Sequence, residues 1–256
     1  MMTDLDIDCI YVNGDSWAYG SELRDPARPD IKNDFDVVHD TYRQAHNWPG
    51  LLGKEYNLPV INSGWAGGSN HRILRTTITD ITNLKREGRK PLAIIAWTQM
   101  QRFELYNAEN DHWIEFVGPS AAGNRKIGLE MWEKYSNDRS DLTQYLQHLI
   151  LMDAFLKTNS VPYVGTNIFR HNFNILEDLA VDPQFAPYLH QLSKVVGIER
   201  HLYNASVSQI LIPHLDIKYG PGGHPLEAGQ LVIAEHFKNK INQEFNITIT
   251  GTKGTA

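Results

Sequence analysis

Ser16 lies two residues past Gly14, the glycine that ends the apolar run Ile10-Tyr11-Val12-Asn13. Far along the chain, the turn Gly220-Pro221-Gly222-Gly223-His224-Pro225 presents a histidine. A residue before proline avoids the α region, so His224 stands on a fixed loop rather than inside the helix that follows. A third piece, Ser63-Gly64-Trp65-Ala66-Gly67-Gly68-Ser69-Asn70, offers glycine amides between an apolar run and a helical pattern. A serine hydroxyl attacks a carbonyl when a base lies within hydrogen-bond reach, and the charge that develops needs donors aimed at it. Hydroxyl, imidazole and amides together are the equipment of acyl transfer. Each also has a plainer reading. Asp15 and Ser16 are both good helix caps, the glycine stretch is an ordinary strand-to-helix turn, and His224 is a loop histidine. A phosphate-cradling loop is the third and least favoured option for the glycine stretch, since no Gly-Lys-Ser/Thr follows the glycines.

These groups work together only if the elements around them share an edge. Residues 8–13 and 58–62 read as strands, and 92–97 as a central strand buried on both faces, being continuously apolar after Pro91. Residues 161–167 read as a further strand. Ile73, Leu74, Ile78, Ile81 and Leu84 recur at three and four, predicting a helix over 70–85. Further helices are expected within 36–56, with Trp48-Pro49 at a start or a break, over 142–156, and over 225–245 with Pro225 at the first helical position. Residues 103–117 read as an irregular or hairpin insertion, 118–128 as loop, and 207–212 as helical or extended. Strands alternating with helices give an α/β domain with a parallel sheet. The loops after its strands then gather on one edge, where ligands bind. The expectation is one domain over 1–256, with insertions around 102–140 and 168–205 and a flexible tail over 248–256.

Composition narrows the partners. The chain has 256 residues, 41% hydrophobic and 21% charged, as in an ordinary globular protein with a sizeable core. A formal charge of −6 argues against a nucleic-acid or anionic-membrane partner. No apolar run approaches the roughly 20 residues that cross a bilayer, and no signal-peptide pattern opens the chain. The compartment stays open, cytoplasmic or virion-associated for a soluble chain, and so does the oligomeric state. Cys9 is the only cysteine, which rules out an internal disulfide framework, and it reads as a small buried residue. The histidines show no metal-ligand spacing, so no metal and no cofactor are expected. Phe103, Tyr106, Trp113, Phe116, Trp132 and Tyr135 crowd the insertion after the central strand. They read either as a surface that stacks on sugar rings or as a small satellite core.

Gly14-Asp15-Ser16, Gly64 after the second strand, and the His224-Pro225 pair before the last helix resemble the SGNH (GDSL-type) hydrolases over roughly residues 8–240. The style of Gly-Asp-Ser-Trp, Trp-Thr and Gly-Gly-His-Pro is most similar to divergent members from phage genomes. The resemblance implies a three-layer flavodoxin-like fold, with a central parallel sheet and helices on both faces. It also implies Ser16 as nucleophile, His224 as general base, and the Ser16 and Gly64 amides as oxyanion donors. Two motifs depart from the family. Its Gly-x-Asn-Asp block is here Ala96-Trp97-Thr98-Gln99, so Thr98, Gln99 or Asn70 would stand in for the missing asparagine. Its Asp-x-x-His block has Pro221 at the acid position. Asp216 is the nearest upstream carboxylate, and a Ser–His dyad or an acid from elsewhere are the other solutions. The expected activity is cleavage of a small-molecule or glycan ester, with small acyl groups such as acetyl favoured. The competing class is a catalytically impaired glycan-binding or virion structural module of the same fold.

Overall fold

Alternation along two strands sets the architecture. β2 (Cys9–Asn13) and β4 (Pro91–Trp97) are buried at every residue. Successive side chains of a strand point to opposite faces, so Tyr11, Ala93, Ile95 and Trp97 enter one apolar core, while Ile10, Val12, Leu92, Ile94 and Ala96 enter another. A sheet buried on both faces needs a helical layer on each side, and parallel crossovers provide them. β3 (Val60–Asn62) and β7 (Tyr163–Asn167) complete a four-stranded, all-parallel sheet in the order β3-β2-β4-β7. The computed structural model describes residues 3–28, 41–117, 130, 133–134, 137–169, 183–192, 194–195, 206–211, 213–214 and 216–246. The expected loop over 118–128, the tail over 248–256, Trp132, Tyr135 and much of 168–205 lie outside them.

One layer holds α4 (Asn70–Arg86), α5 (Asp138–Thr158) and α6 (Ala186–Leu192). Ile73, Ile81 and Leu84 of α4 meet Leu142, Tyr145, Leu146 and Leu149 of α5 over the sheet. The other layer holds α1 (Ser16–Tyr19), α3 (Trp48–Tyr56), α7 (Val207–Leu211) and α8 (Glu227–Glu244). There Trp48 stacks on Phe237 with ring centroids 4.3 Å apart, both fully buried. Truncating such a side chain costs about 3–5 kcal/mol. The Trp48-Pro49 break is real. α2 (Thr41–His46) ends before it, and Asn47 caps α3 by accepting from the Gly50 amide, with Pro49 in the first turn where its missing N–H is harmless.

The insertion after β4 begins with an antiparallel hairpin, β5 (Phe103–Asn107) and β6 (His112–Phe116). A short parallel pair, β1 (Thr3–Asp4) with β8 (Phe245–Asn246), joins the two ends of the described chain. The expected start of the last helix is corrected. α8 begins at Glu227 with Leu226 as its extended N-cap, and Pro225 instead bridges Tyr219. The bridge closes the turn that carries His224, so Pro225 serves that turn and not the helix. Among the described residues, no helix is long and apolar enough to cross a membrane.

Candidate active site

Ser16 opens α1 at the C-terminal end of β2. Asp15 caps the helix through Oδ1, which accepts from the Trp17 amide at 3.0 Å. Its Oδ2 accepts from Thr98 Oγ1 at 2.6 Å and from Arg102 Nη1 at 3.1 Å. Asp15 is fully buried. A buried carboxylate is tolerable only with several donors and a counter-charge, and this one has them from its own turn and from the loop after β4. The plain capping reading thus belongs to Asp15, which leaves Ser16 free for chemistry. Ser16 is only 6% exposed, and neither its hydroxyl nor its amide makes a hydrogen bond among the described residues.

His224 meets a carboxylate that the sequence did not point to. Its Nδ1 is 2.8 Å from Glu22 Oε2. The same carboxylate accepts from the Gly222 amide at 2.8 Å and the His224 amide at 3.2 Å. Burial raises the Glu22 carboxyl, but these bonds outweigh it and hold the group below the usual glutamate value. A carboxylate only accepts, so the Nδ1 proton faces Glu22 and Nε2 keeps the lone pair of the neutral ring. Glu22 sits six residues after Ser16, on the turn whose Gly20 and Ser21 amides donate to the Ser16 carbonyl at 3.0 and 2.9 Å. The serine turn and the histidine turn are therefore clasped together. Glu22 has φ +68°, a left-handed conformation that costs a non-glycine residue of order 1 kcal/mol or more and recurs at functional sites. Gly220 makes the clasp possible, because a Cβ there would lie 2.5 Å from Glu22 Oε2.

Asp216 is exposed and makes no hydrogen bond to His224 among the described residues. No hydrogen bond joins Ser16 to His224 in this resting arrangement. Such contacts are often long in an unliganded site and tighten with substrate.

The expected oxyanion donors are largely engaged elsewhere. The Gly64 amide donates to Asn62 Oδ1 at 2.9 Å, while Asn62 Nδ2 donates to the Ala18 carbonyl at 2.8 Å. Gly64 packs tightly on α1, since a Cβ would meet Tyr19 N at 2.8 Å and Ala18 Cβ at 2.9 Å. Thr98 gives its amide to Asn70 Oδ1 at 2.9 Å and its hydroxyl to Asp15. Asn70 Nδ2 reaches the carbonyls of Thr98 at 3.2 Å and Gln99 at 3.5 Å. Gln99 itself is exposed. Asn70 and Thr98 are thus a strut between the β3 and β4 loops. By contrast, the Gly67 amide makes no hydrogen bond among the described residues.

Behind this edge runs a polar network. Asn13 Nδ2 donates to Thr76 Oγ1 at 2.7 Å and Tyr11 Oη at 3.0 Å. Tyr11 and Ser63 donate to Asp80 Oδ2 at 3.0 and 2.6 Å. It pins β2, β3 and α4 together, so the glycine turn is held from below. A cleft of about 330 Å³ opens beside Gly64, lined by Tyr19, Asn62, Trp65, Arg72 and Asp80 among others. The hairpin's aromatics divide by register. Phe103 and Phe116 stack at 4.7 Å over the protein, whereas Tyr106 and Trp113 pair on the outside, 50% and 38% exposed. The hairpin thus carries one aromatic pair packed on the protein and one facing outward. No cluster of three or more metal-ligating side chains occurs among the described residues.

Residues 28–250 match the model of a family described as a "Family of unknown function (DUF6071)". No curated protein matches. Solved structures do. The psychrotrophic esterase EstA from Pseudoalteromonas sp. is 13% identical with a TM-score of 0.50, covering 92% of this chain and 97% of its own. A carbohydrate esterase, whose active site is described as having divergent catalytic and non-catalytic binding functions, is 16% identical with a TM-score of 0.50, covering 96% and 69%. LAE5, an alpha/beta hydrolase from the metagenome of Lake Arreo, Spain, is 13% identical with a TM-score of 0.50, covering 94% and 98%. At such identities the likeness is one of fold. The fold is the three-layer SGNH-hydrolase type, as the sequence motifs implied.

Proposed function

The chain belongs to the family of unknown function DUF6071, and on that premise we propose that it is a serine hydrolase that cleaves acyl esters through Ser16, His224 and Glu22. The observation that carries the reading is the Glu22–His224 pair, clasped to the turn that begins at Ser16. Glu22 orients the imidazole and stabilises the imidazolium that forms when His224 takes a proton. This is the role an acid plays in a serine–histidine triad.

In the first half-reaction Ser16 Oγ bonds to the ester carbonyl carbon, its proton passes to His224 Nε2, and the carbonyl π pair moves onto oxygen. The unengaged amides of Ser16 and Gly67 are the backbone donors for that oxyanion. Collapse breaks the bond to the leaving alcohol, which takes the proton from His224. Water then attacks the acyl-enzyme, giving a proton to His224. Release of the acid returns that proton to Ser16. The substrate class in this reading is an ester with a small acyl group such as acetyl on a sugar-bearing leaving group, whose ring the exposed Tyr106–Trp113 pair suits by stacking.

The test is hydrolysis of p-nitrophenyl acetate by wild type and Ser16→Ala, with fluorophosphonate labelling of the serine. Turnover and labelling that both vanish in Ser16→Ala support the reading. Equal, slow hydrolysis by the two proteins, with Ser16 unlabelled, rejects it. A second reading, a non-catalytic glycan-binding module, is favoured by the absence of a direct Ser16–His224 hydrogen bond. It expects glycan binding that Ser16→Ala leaves intact, and no labelling.

A further inference from the structure

The oxyanion site described above has two backbone amides, and every side-chain donor expected beside them is engaged or exposed. Arg102 is different. It lies just beyond β4 and is 8% exposed, and its Nε is buried with no hydrogen-bond partner. The charge itself is paired with Asp15, but a buried N–H left without an acceptor is costly, so a protein that keeps one has a use for it. Nη1 binds Asp15 Oδ2 at 3.1 Å and reaches the Gly68 carbonyl at 3.5 Å, while the guanidinium carbon sits 5.5 Å from the centre of the Phe169 ring. Four loop segments at the same sheet edge thus meet at one rigid cation: the Ser16 turn, the glycine turn, its own loop after β4, and the segment after β7. Asp15, which holds it, is the residue immediately before the nucleophile.

We propose that Arg102 is a catalytic residue of this site, its unpaired guanidinium N–H donating to the oxygen that becomes negative when Ser16 attacks. The assignment rests on the serine-hydrolase reading. The chemistry fits the burial. A fixed cation in a water-poor site stabilises developing charge far more than it would in water, and it needs no reorganisation at the moment of reaction. The assignment also explains why Thr98, after β4, and Asn70, at the start of α4, can be engaged with each other as a strut: the charge is met from Arg102. Asp15 has two tasks, holding the start of α1 and aiming the guanidinium.

The experiment measures p-nitrophenyl acetate kinetics for wild type, Ser16→Ala, Arg102→Ala and the double variant Asp15→Asn/Arg102→Gln. The double variant removes both buried charges at once, so neither is left unpaired, and thermal melts confirm that it is folded. The expected result is a kcat lower by on the order of 10²–10³ in the double variant, with KM changed by no more than about threefold. Millimolar guanidinium should restore part of the rate of Arg102→Ala and none of that of Ser16→Ala, a rescue that a purely structural role would not give. Near-wild-type kcat in the folded double variant overturns the assignment of Arg102 alone, provided wild-type turnover depends on Ser16. Wild-type turnover that is independent of Ser16 overturns the hydrolase reading, and this assignment with it.

Discussion

His224 Nδ1 and Glu22 Oε2 lie 2.8 Å apart across 202 residues of sequence. The pair fixes the imidazole tautomer, and two backbone amides of the histidine turn bind the same carboxylate. Glu22→Gln keeps the size of the side chain but removes the charge and presents an NH₂ group where the ring proton points. Its kcat on an acetyl ester is expected to fall on the order of 10²–10⁴-fold with KM little changed. Steady-state kinetics with a melting curve on the same sample will show whether the loss is chemical or structural.

Gly220 permits that pair, and a methyl group there should weaken it. The Cβ of Gly220→Ala would lie 2.5 Å from Glu22 Oε2 and 2.9 Å from Glu22 Cβ. The carboxylate end can swing away, but Cβ is fixed to the backbone, so the Glu22 turn shifts slightly as Glu22 moves off the histidine. A stability loss below about 1.5 kcal/mol, combined with a kcat loss resembling that of Glu22→Gln, is the expected outcome in paired melting and kinetic assays.

Glu22 also links the clasp to pH. Its folded pKa is depressed, so the native state binds the proton more weakly than the unfolded chain does. The stabilisation is present above the unfolded value of about 4.3 and is lost as pH falls through the lower folded value. Denaturant titrations between pH 6 and pH 3 should show an acid-sensitive component that Glu22→Gln lacks.

A second acid-sensitive element lies in the opposite layer. Burial, and then the neighbouring His71, push the His148 ring down to about 3. The two rings meet edge to face at 4.4 Å, and His71 in turn sees Glu104. His148 is neutral in the fold but protonates near 6.5 when unfolded. Stability should therefore decline from about pH 6.5 downward, by up to roughly 1.4 kcal/mol per pH unit from this group. Replacing it in His148→Phe should flatten the slope between pH 6.5 and pH 4, as read by chemical denaturation.

Cys9 is fully buried in β2, and burial pushes its thiol up to about 12. The thiolate is the reactive form. No reaction with a chromogenic disulfide reagent is expected at pH 8 in the native protein, with one equivalent released on denaturation.

Much of the scaffold was legible in the sequence, for identifiable reasons. β4 announced itself as Leu92-Ala93-Ile94-Ile95-Ala96-Trp97 because a strand covered on both faces has no polar alternation to blur it. α4 did so through its three-and-four apolar spacing. Ser16 and His224 stood out because each is flanked by residues with strong backbone preferences, glycine before one and proline after the other. What stayed hidden were partners with no such flanks. Nothing in Ser21-Glu22-Leu23 marks Glu22 as the acid for a histidine 202 residues away; its left-handed backbone is the signal, and only coordinates carry it. Asp216, nearest upstream in sequence, faces solvent.

The sequence by itself determined the sheet, its layers and the edge on which the chemistry would gather, because hydrophobic period and turn residues act over short stretches of chain. Only the tertiary structure decided which donors at that edge are engaged and which remain open. Gly64 donates to Asn62 and Thr98 to Asn70, while Glu22 and Arg102 face the histidine and the aspartate beside the serine. A hydrogen bond forms with whatever donor or acceptor the packed backbone brings within about 3 Å, and that is settled by how the two helical layers close on the sheet.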